Sequence, residues 1–217
     1  MSAEPGRPAR LGILLSGRGS NFLAIADAVH AGILRDQAEI AIVISNVAEA
    51  QGLARARGLE LPTATFVSKG RKRAEHDADV AACLREYEVD LVILAGYMRL
   101  LSPEFIAAFP NRILNIHPSL LPAFPGLDAQ TQAFDYGCRI AGCTVHFVDE
   151  QLDHGVIVLQ RSLAVEDSDD AHTLADRLLE EEHRAYPEAI ARVLSGQYRV
   201  NGRRYERVSS NAAKSVK

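Results

Sequence analysis

The chain has 217 residues, 47% of them hydrophobic and 24% charged, with a formal net charge of −4. These are ordinary values for a globular domain with one core, and they give no basic footprint for nucleic acid. The first apolar run, over 11–15, is interrupted by Gly12 and is far too short for a secretory leader or a membrane span, so the expected location is the cytoplasm.

Short β-type runs over 10–15, 39–45, 63–67, 90–94 and 113–116 alternate with helical patterns over 21–31, 48–57, 73–87 and 103–108. That alternation predicts a parallel α/β sheet with helices on both faces. Gly32 and Gly58 stand where helix C-termini favour glycine. After Pro122 the pattern changes to two longer strand-like runs, 140–148 and 156–163, joined by a loop over 149–155 and predicted to add antiparallel strands to the sheet. A long helix is expected over 170–194, kinked or broken at Pro187, and then a hairpin over 198–208 turning at Asn201-Gly202. Composition predicts flexible ends over 1–8 and 209–217, leaving one domain over 9–208. Cys83, Cys138 and Cys143 form no Cys-x-x-Cys pair and are odd in number, as expected of reduced thiols.

Ser16-Gly17-Arg18-Gly19-Ser20-Asn21 follows the first strand and opens the first helix, where backbone N–H groups and the helix dipole receive anions. Phe22 stands where a dinucleotide fingerprint needs its third glycine, and no Gly-Lys-Ser/Thr follows, so a lone phosphate is favoured over NAD or ATP. A tight turn with Ser20 or Asn21 as helix cap is the structural alternative. The basic stretch 69–73 reads as a solvated loop and helix start.

The chemistry concentrates in Asn115-Ile116-His117-Pro118-Ser119-Leu120-Leu121-Pro122, with Asp153 following in the loop over 149–155. On a strand, Asn115 and His117 leave from one face and Ile116 from the other. An amide, an imidazole and a carboxylate can stabilise an oxyanion, pass a proton and hold the resulting imidazolium without a nucleophilic Ser or Cys, which points to acyl transfer. The plainer alternative is that His117-Pro118 merely ends a strand. His117, His146, Asp153 and His154 could converge, but no HExxH motif or Cys cluster of zinc spacing occurs, and no metal is expected. The segment 96–101 lies beyond the carboxyl end of a buried strand, where open α/β sheets bind ligands.

Taken together, Ser16–Asn21, Ala95-Gly96-Tyr97-Met98-Arg99-Leu100-Leu101-Ser102-Pro103, the octapeptide, Phe124-Pro125-Gly126, and His146-Phe147-Val148 leading to Leu152-Asp153 resemble the folate-dependent formyltransferases, from Leu11 to about Val200. The resemblance implies a Rossmann-like formyltransferase fold and 10-formyltetrahydrofolate as formyl donor. The best match inside the family is the branch that formylates the amine of glycinamide ribonucleotide in purine biosynthesis, by direct amine attack through a tetrahedral intermediate. It makes Asn115, His117 and Asp153 catalytic, assigns Gly19, Ser20 and Asn21 to the ribotide phosphate, and assigns Glu182 to the glycinamide ribotide. It assigns the folate to Arg73, Met98, Arg99, Leu100, Leu101, Asn115, Asp149, Glu150, Gln151, Leu152 and Asp153. Arg18 and His154 depart from the family pattern, the latter replacing a glycine usual after the aspartate. Within the same family, a formyltetrahydrofolate deformylase would carry an extra N-terminal domain, and a methionyl-tRNA formyltransferase a C-terminal one. A non-catalytic folate- or phosphate-binding module would not need all three polar residues. The partners implied are the two small-molecule substrates, with no nucleic acid or membrane, and no oligomeric state is indicated.

Overall fold

Strands with no polar alternate positions need apolar cover on both faces. The computed structural model, which describes residues 7–208, supplies it. The first half alternates as expected: β1 (Ala9–Leu15), α1 (Ser20–Ala31), β2 (Ala38–Ser45), α2 (Gln51–Gly58), β3 (Thr63–Thr65), α3 (Arg73–Glu86), β4 (Leu91–Leu94), α4 (Pro103–Ala108) and β5 (Ile113–His117). Then come α5 (Ala129–Asp135), β6 (Ile140–Phe147), β7 (Ile157–Ala164), α6 (Ala171–Leu194) and the hairpin β8 (Tyr198–Asn201) with β9 (Arg204–Arg207). Seven strands lie in the order β3-β2-β1-β4-β5-β6-β7, parallel as far as β5 and antiparallel from β5 to β7. This is the mixed, mostly parallel Rossmann-like sheet with a long C-terminal helix that the sequence predicts.

Side chains alternate between two cores. From β1, Leu11, Ile13 and Leu15 face the cluster that holds α1 and α6, while Leu14 joins the cluster under α3 and α4. Leu91 and Ile93 of β4 divide from Val92 and Leu94 in the same way. The chain builds outward from β1 to β3 and then returns to β4 on the other side of β1, so loops diverge at the carboxyl ends of β1 and β4 and leave a crevice there. Tyr186 of α6 closes the floor behind it. Its fully buried hydroxyl lies 3.0 Å from the Leu94 carbonyl and 2.9 Å from that of Leu114.

Four local expectations are corrected. α6 is not broken at Pro187, because Ala185, Tyr186, Pro187, Ala189 and Ile190 are all buried and packing outweighs one missing N–H. α5 was not foreseen: its seven residues are mostly polar, and its N-cap, Asp128, makes no side-chain cap. β3 stops at Thr65 because β2, its one partner, ends opposite it at Ser45. In the hairpin Asn201 pairs with Arg204, so the turn is Gly202-Arg203, one residue later than expected. The tail over 209–217 lies outside the described residues, as does the N-terminus except Arg7 and Pro8. Arg7 makes a two-pronged contact with Asp90 at 2.7 and 3.2 Å. The three cysteines are unbridged.

Candidate active site

β5 delivers two polar side chains to the crevice. Asn115 and His117 share a face, as period two requires, and Ile116 is buried in the core behind them. Antiparallel pairing then sets His146 of β6 directly opposite Asn115, with the amide Nδ2 3.2 Å from the ring Nε2. His146 Nδ1 donates to the Phe147 carbonyl at 2.8 Å, so Nε2 carries the lone pair and takes an amide N–H from Asn115. Burial holds this ring below the ordinary imidazole range, which keeps it a neutral acceptor. The amide is thereby oriented, one N–H used and the second free for a substrate oxygen.

His117 Nε2 donates to the Phe124 carbonyl at 2.8 Å, and Nδ1 faces Asp153 Oδ2 at 3.4 Å with both side chains almost fully buried. A carbonyl only accepts, so Nε2 bears hydrogen. The contact with Asp153 is attractive when Nδ1 bears one too, as an imidazolium facing a carboxylate. Nδ1 is therefore the ring nitrogen left facing the carboxylate. Asp153 Oδ2 also accepts the Gly126 N–H at 2.8 Å, and its Oδ1 lies 3.8 Å from His146 Nε2. Asp153 adopts φ +49°, at the tip of a loop closed by Asp149, whose carboxylate takes the Gln151 N–H at 3.0 Å and meets His154 Nδ1 at 2.8 Å. Residues far apart in the chain are thus brought to one spot, together with His146, Phe124 and Gly126. Sequence reading named His146 only among residues that could converge and gave the other two no role here.

The glycine-containing loop over 16–21 sits at the adjoining strand end. Gly19 is the N-cap of α1 at φ +75°, and a Cβ there would stand 2.8 Å from the Cα of Gly52, so the turn admits no side chain. No side chain caps α1, which leaves its first-turn N–H groups for an anion. Asn21 is not a cap: its buried Nδ2 donates to Glu182 Oε2 of α6 at 2.7 Å. Burial pushes the Glu182 carboxyl above the usual range, with the Asn21 bond acting against it. Ser20 is half-buried, and Arg18 is exposed.

On the other flank, the Ser16 hydroxyl accepts the Met98 N–H at 2.8 Å, and the Ser16 N–H donates to the Gly96 carbonyl at 3.0 Å, stitching the loop over 16–21 to the segment after β4. Met98, Leu100 and Leu152 are exposed apolar side chains, at 70%, 58% and 56%. Arg99 is half-buried, and its Nε has no partner among the described residues. Leu101 instead packs into the core with Phe105. Asp149 is half-buried, whereas Glu150 and Gln151 are exposed on the loop and Arg73 is exposed at the start of α3. A buried pair that the sequence did not single out, His76 and Asp77, supports this flank. Asp77 accepts the Ser102 N–H at 2.6 Å, and His76 Nε2 bonds the Phe66 carbonyl at 2.8 Å. Among the described residues, no cluster of three or more His, Cys, Asp or Glu has a metal-holding arrangement.

Comparison with known proteins agrees with this geometry. The formyl transferase family profile matches residues 9–190. The chain is 41% identical over 192 residues to phosphoribosylglycinamide formyltransferase of Haemophilus influenzae, covering 88% of this chain and 90% of that one. It is 42% identical over 205 residues to the trifunctional purine biosynthetic protein adenosine-3 of Bos taurus, covering 93% of this chain and 20% of that one, so it spans about a fifth of that relative's length. Glycinamide ribonucleotide transformylase 1 from Symbiobacterium toebii has a crystal structure that superposes with a TM-score of 0.90 at 47% identity, covering 94% of this chain and 96% of that one. With the profile running from β1 to α6 over the same sheet and the same strand ends, the chain belongs to the formyl transferase family.

Proposed function

We propose that this protein transfers the formyl group of 10-formyltetrahydrofolate to the terminal amine of glycinamide ribonucleotide, a step of purine biosynthesis, in the cytoplasm and without a metal. The convergence of Asn115, His117 and Asp153 at the end of β5 carries this reading. Gly19, Ser20 and Asn21 take the ribotide phosphate on the uncapped start of α1, and Glu182 faces the glycinamide end. Met98, Leu100 and Leu152 supply exposed apolar surface suited to a flat pteridine, and Arg73, Arg99 and residues 149–151 frame it. No helix among the described residues is long and apolar enough to cross a membrane.

In the proposed reaction the neutral amine attacks the formyl carbon. An N–C bond forms and the carbonyl electron pair moves to oxygen, where the free Asn115 N–H and the His117 Nδ1–H stabilise it. An α-amino-like group with a pKa near ~8 is partly neutral at pH 7, so attack needs no strong base. The proton released from the attacking nitrogen passes by way of Asp153 to the leaving folate nitrogen, and the C–N bond to folate breaks as the carbonyl re-forms. No protein nucleophile takes part. The hydroxyl of Ser119 is committed to the Ala123 carbonyl at 2.6 Å, and burial pushes the Cys143 thiol up to about 12. Folate release that requires ribotide, yields no formate and withstands a chelator is the expected result. Formate released without ribotide would make the protein a hydrolase, and activity lost to chelation and restored by one added metal would overturn the metal-free chemistry.

Glu182→Gln tests the ribotide end. The Glu182 carboxyl is raised in the folded state, so its ionisation costs stability as pH rises from the unfolded value, about 4.3, through the folded one. Gln keeps an acceptor for Asn21 without the charge. The variant should melt above the parent at pH 8, with the gap narrowing as the medium is acidified. Its KM for ribotide should rise about tenfold or more, the scale of a lost hydrogen bond to a charged group. A variant less stable than the parent at pH 8 would contradict the burial penalty.

A further inference from the structure

Asp153 holds a left-handed backbone conformation in a loop that covers little hydrophobic surface, so something outside the loop must keep it in place. The neighbour that does so comes from the far end of the chain. Arg203, in the turn between β8 and β9, donates from Nη2 to the carbonyl of His154 at 2.6 Å, one residue beyond Asp153. The hairpin is itself anchored beside the loop. The ring of Tyr205 packs edge-on against Phe147, the last residue of β6, with centroids 5.4 Å apart, and stacks on Tyr198 at 5.3 Å. The Arg192 guanidinium of α6 lies 5.3 Å over the Tyr198 ring.

We propose that the β8–β9 hairpin is a strut for the loop over 149–155 and that Arg203 is a positioning residue for Asp153. The inference rests on the reading of Asp153 as a partner of His117 in catalysis. Proton accounting sharpens it. The Asp149 carboxylate only accepts, so the hydrogen on His154 Nδ1 is committed to Asp149 and the loop is latched internally. Arg203 therefore acts through the His154 carbonyl and not through the ring, although Nη1 lies 3.4 Å from Nδ1. Asp153 is held between two fixed points, the Arg203 bond on its C-terminal side and the Gly126 N–H on its carboxylate. Losing the first frees the loop to drift away from His117, and a misplacement of about 1 Å costs up to about a hundredfold in rate.

The Gly126 amide reports on the strut without reference to activity, because its hydrogen bond ends on Asp153. In the full chain, Arg203→Ala should speed hydrogen exchange at Gly126 and lower kcat about tenfold, with KM for ribotide unchanged and the melting temperature near that of the parent. Arg203→Lys, which keeps one charged donor, should recover most of both effects. Unchanged Gly126 exchange in Arg203→Ala would overturn the strut, and so would equal damage in Arg203→Lys or a rise in ribotide KM matching the fall in kcat. Asp153→Asn separates the two ideas. Full turnover in that variant would remove Asp153 from catalysis, while Gly126 exchange in Arg203→Ala would still decide whether the hairpin holds the loop.

Discussion

His117→Ala and Asp153→Asn should each lower kcat by roughly two orders of magnitude or more, the scale of losing a positioned acid or one preorganised oxyanion donor. Combining them should cost far less than the product of the single losses. His117 Nε2 is occupied by the Phe124 carbonyl, so Nδ1, with Asp153 3.4 Å away, is the nitrogen left to face the oxyanion. Removing the carboxylate takes away the charged partner that faces Nδ1. Removing the imidazole leaves Asp153 with the Gly126 N–H and the more distant His146. Two residues that face each other and act on one intermediate cannot be lost independently. Fully multiplicative losses in single-turnover measurements would show that they act on separate steps. Asn115→Ala should match the single variants, because the amide that His146 orients has one N–H left for the oxyanion.

Gly155→Ala should be nearly as damaging to turnover and should also cost stability. A Cβ at residue 155 would fall 1.7 Å from the Phe147 carbonyl oxygen and 2.7 Å from its carbon, and both are backbone atoms that cannot swing aside as a side chain can. The same stretch of β6 donates the Phe147 N–H to the Val156 carbonyl, so the clash opens the junction between the loop and β7. Overpacking at a fixed backbone contact costs typically about 1–3 kcal/mol. Displacing the loop by a fraction of an ångström to 1 Å costs turnover up to about a hundredfold. Thermal melting and kcat measured on the same preparation check both parts. Unchanged turnover at lowered stability would separate the loop's fit from the chemistry.

The strands were legible because their apolar runs have a short, local cause: each must bury both faces, and β1, β2, β4 and β5 appear within a residue or two of where pattern alone puts them. The Asn115–His117 spacing was legible for the same reason, since a period of two is a property of any extended strand. Motif resemblance located Asp153 and Glu182 but not the Gly126 and Asn21 groups that hold them. Pro187 misled because local backbone chemistry argues for a break, and the buried face of α6 around Tyr186 overrides it.

Composition, periodicity and motif thus sufficed for the α/β class, the loop that opens the first helix and the positions of the three polar residues of the proposed reaction, all of which follow from chemistry within a few residues or from resemblance. Tertiary contact alone settled that His146 fixes the Asn115 amide, that the Phe124 carbonyl takes Nε2 of His117 and leaves Nδ1 facing Asp153, that Asn21 meets Glu182 and that Arg203 reaches His154. These depend on strand register and on which elements the sheet sets side by side, and such pairings are fixed by burial summed over the whole core, which no local stretch of sequence encodes.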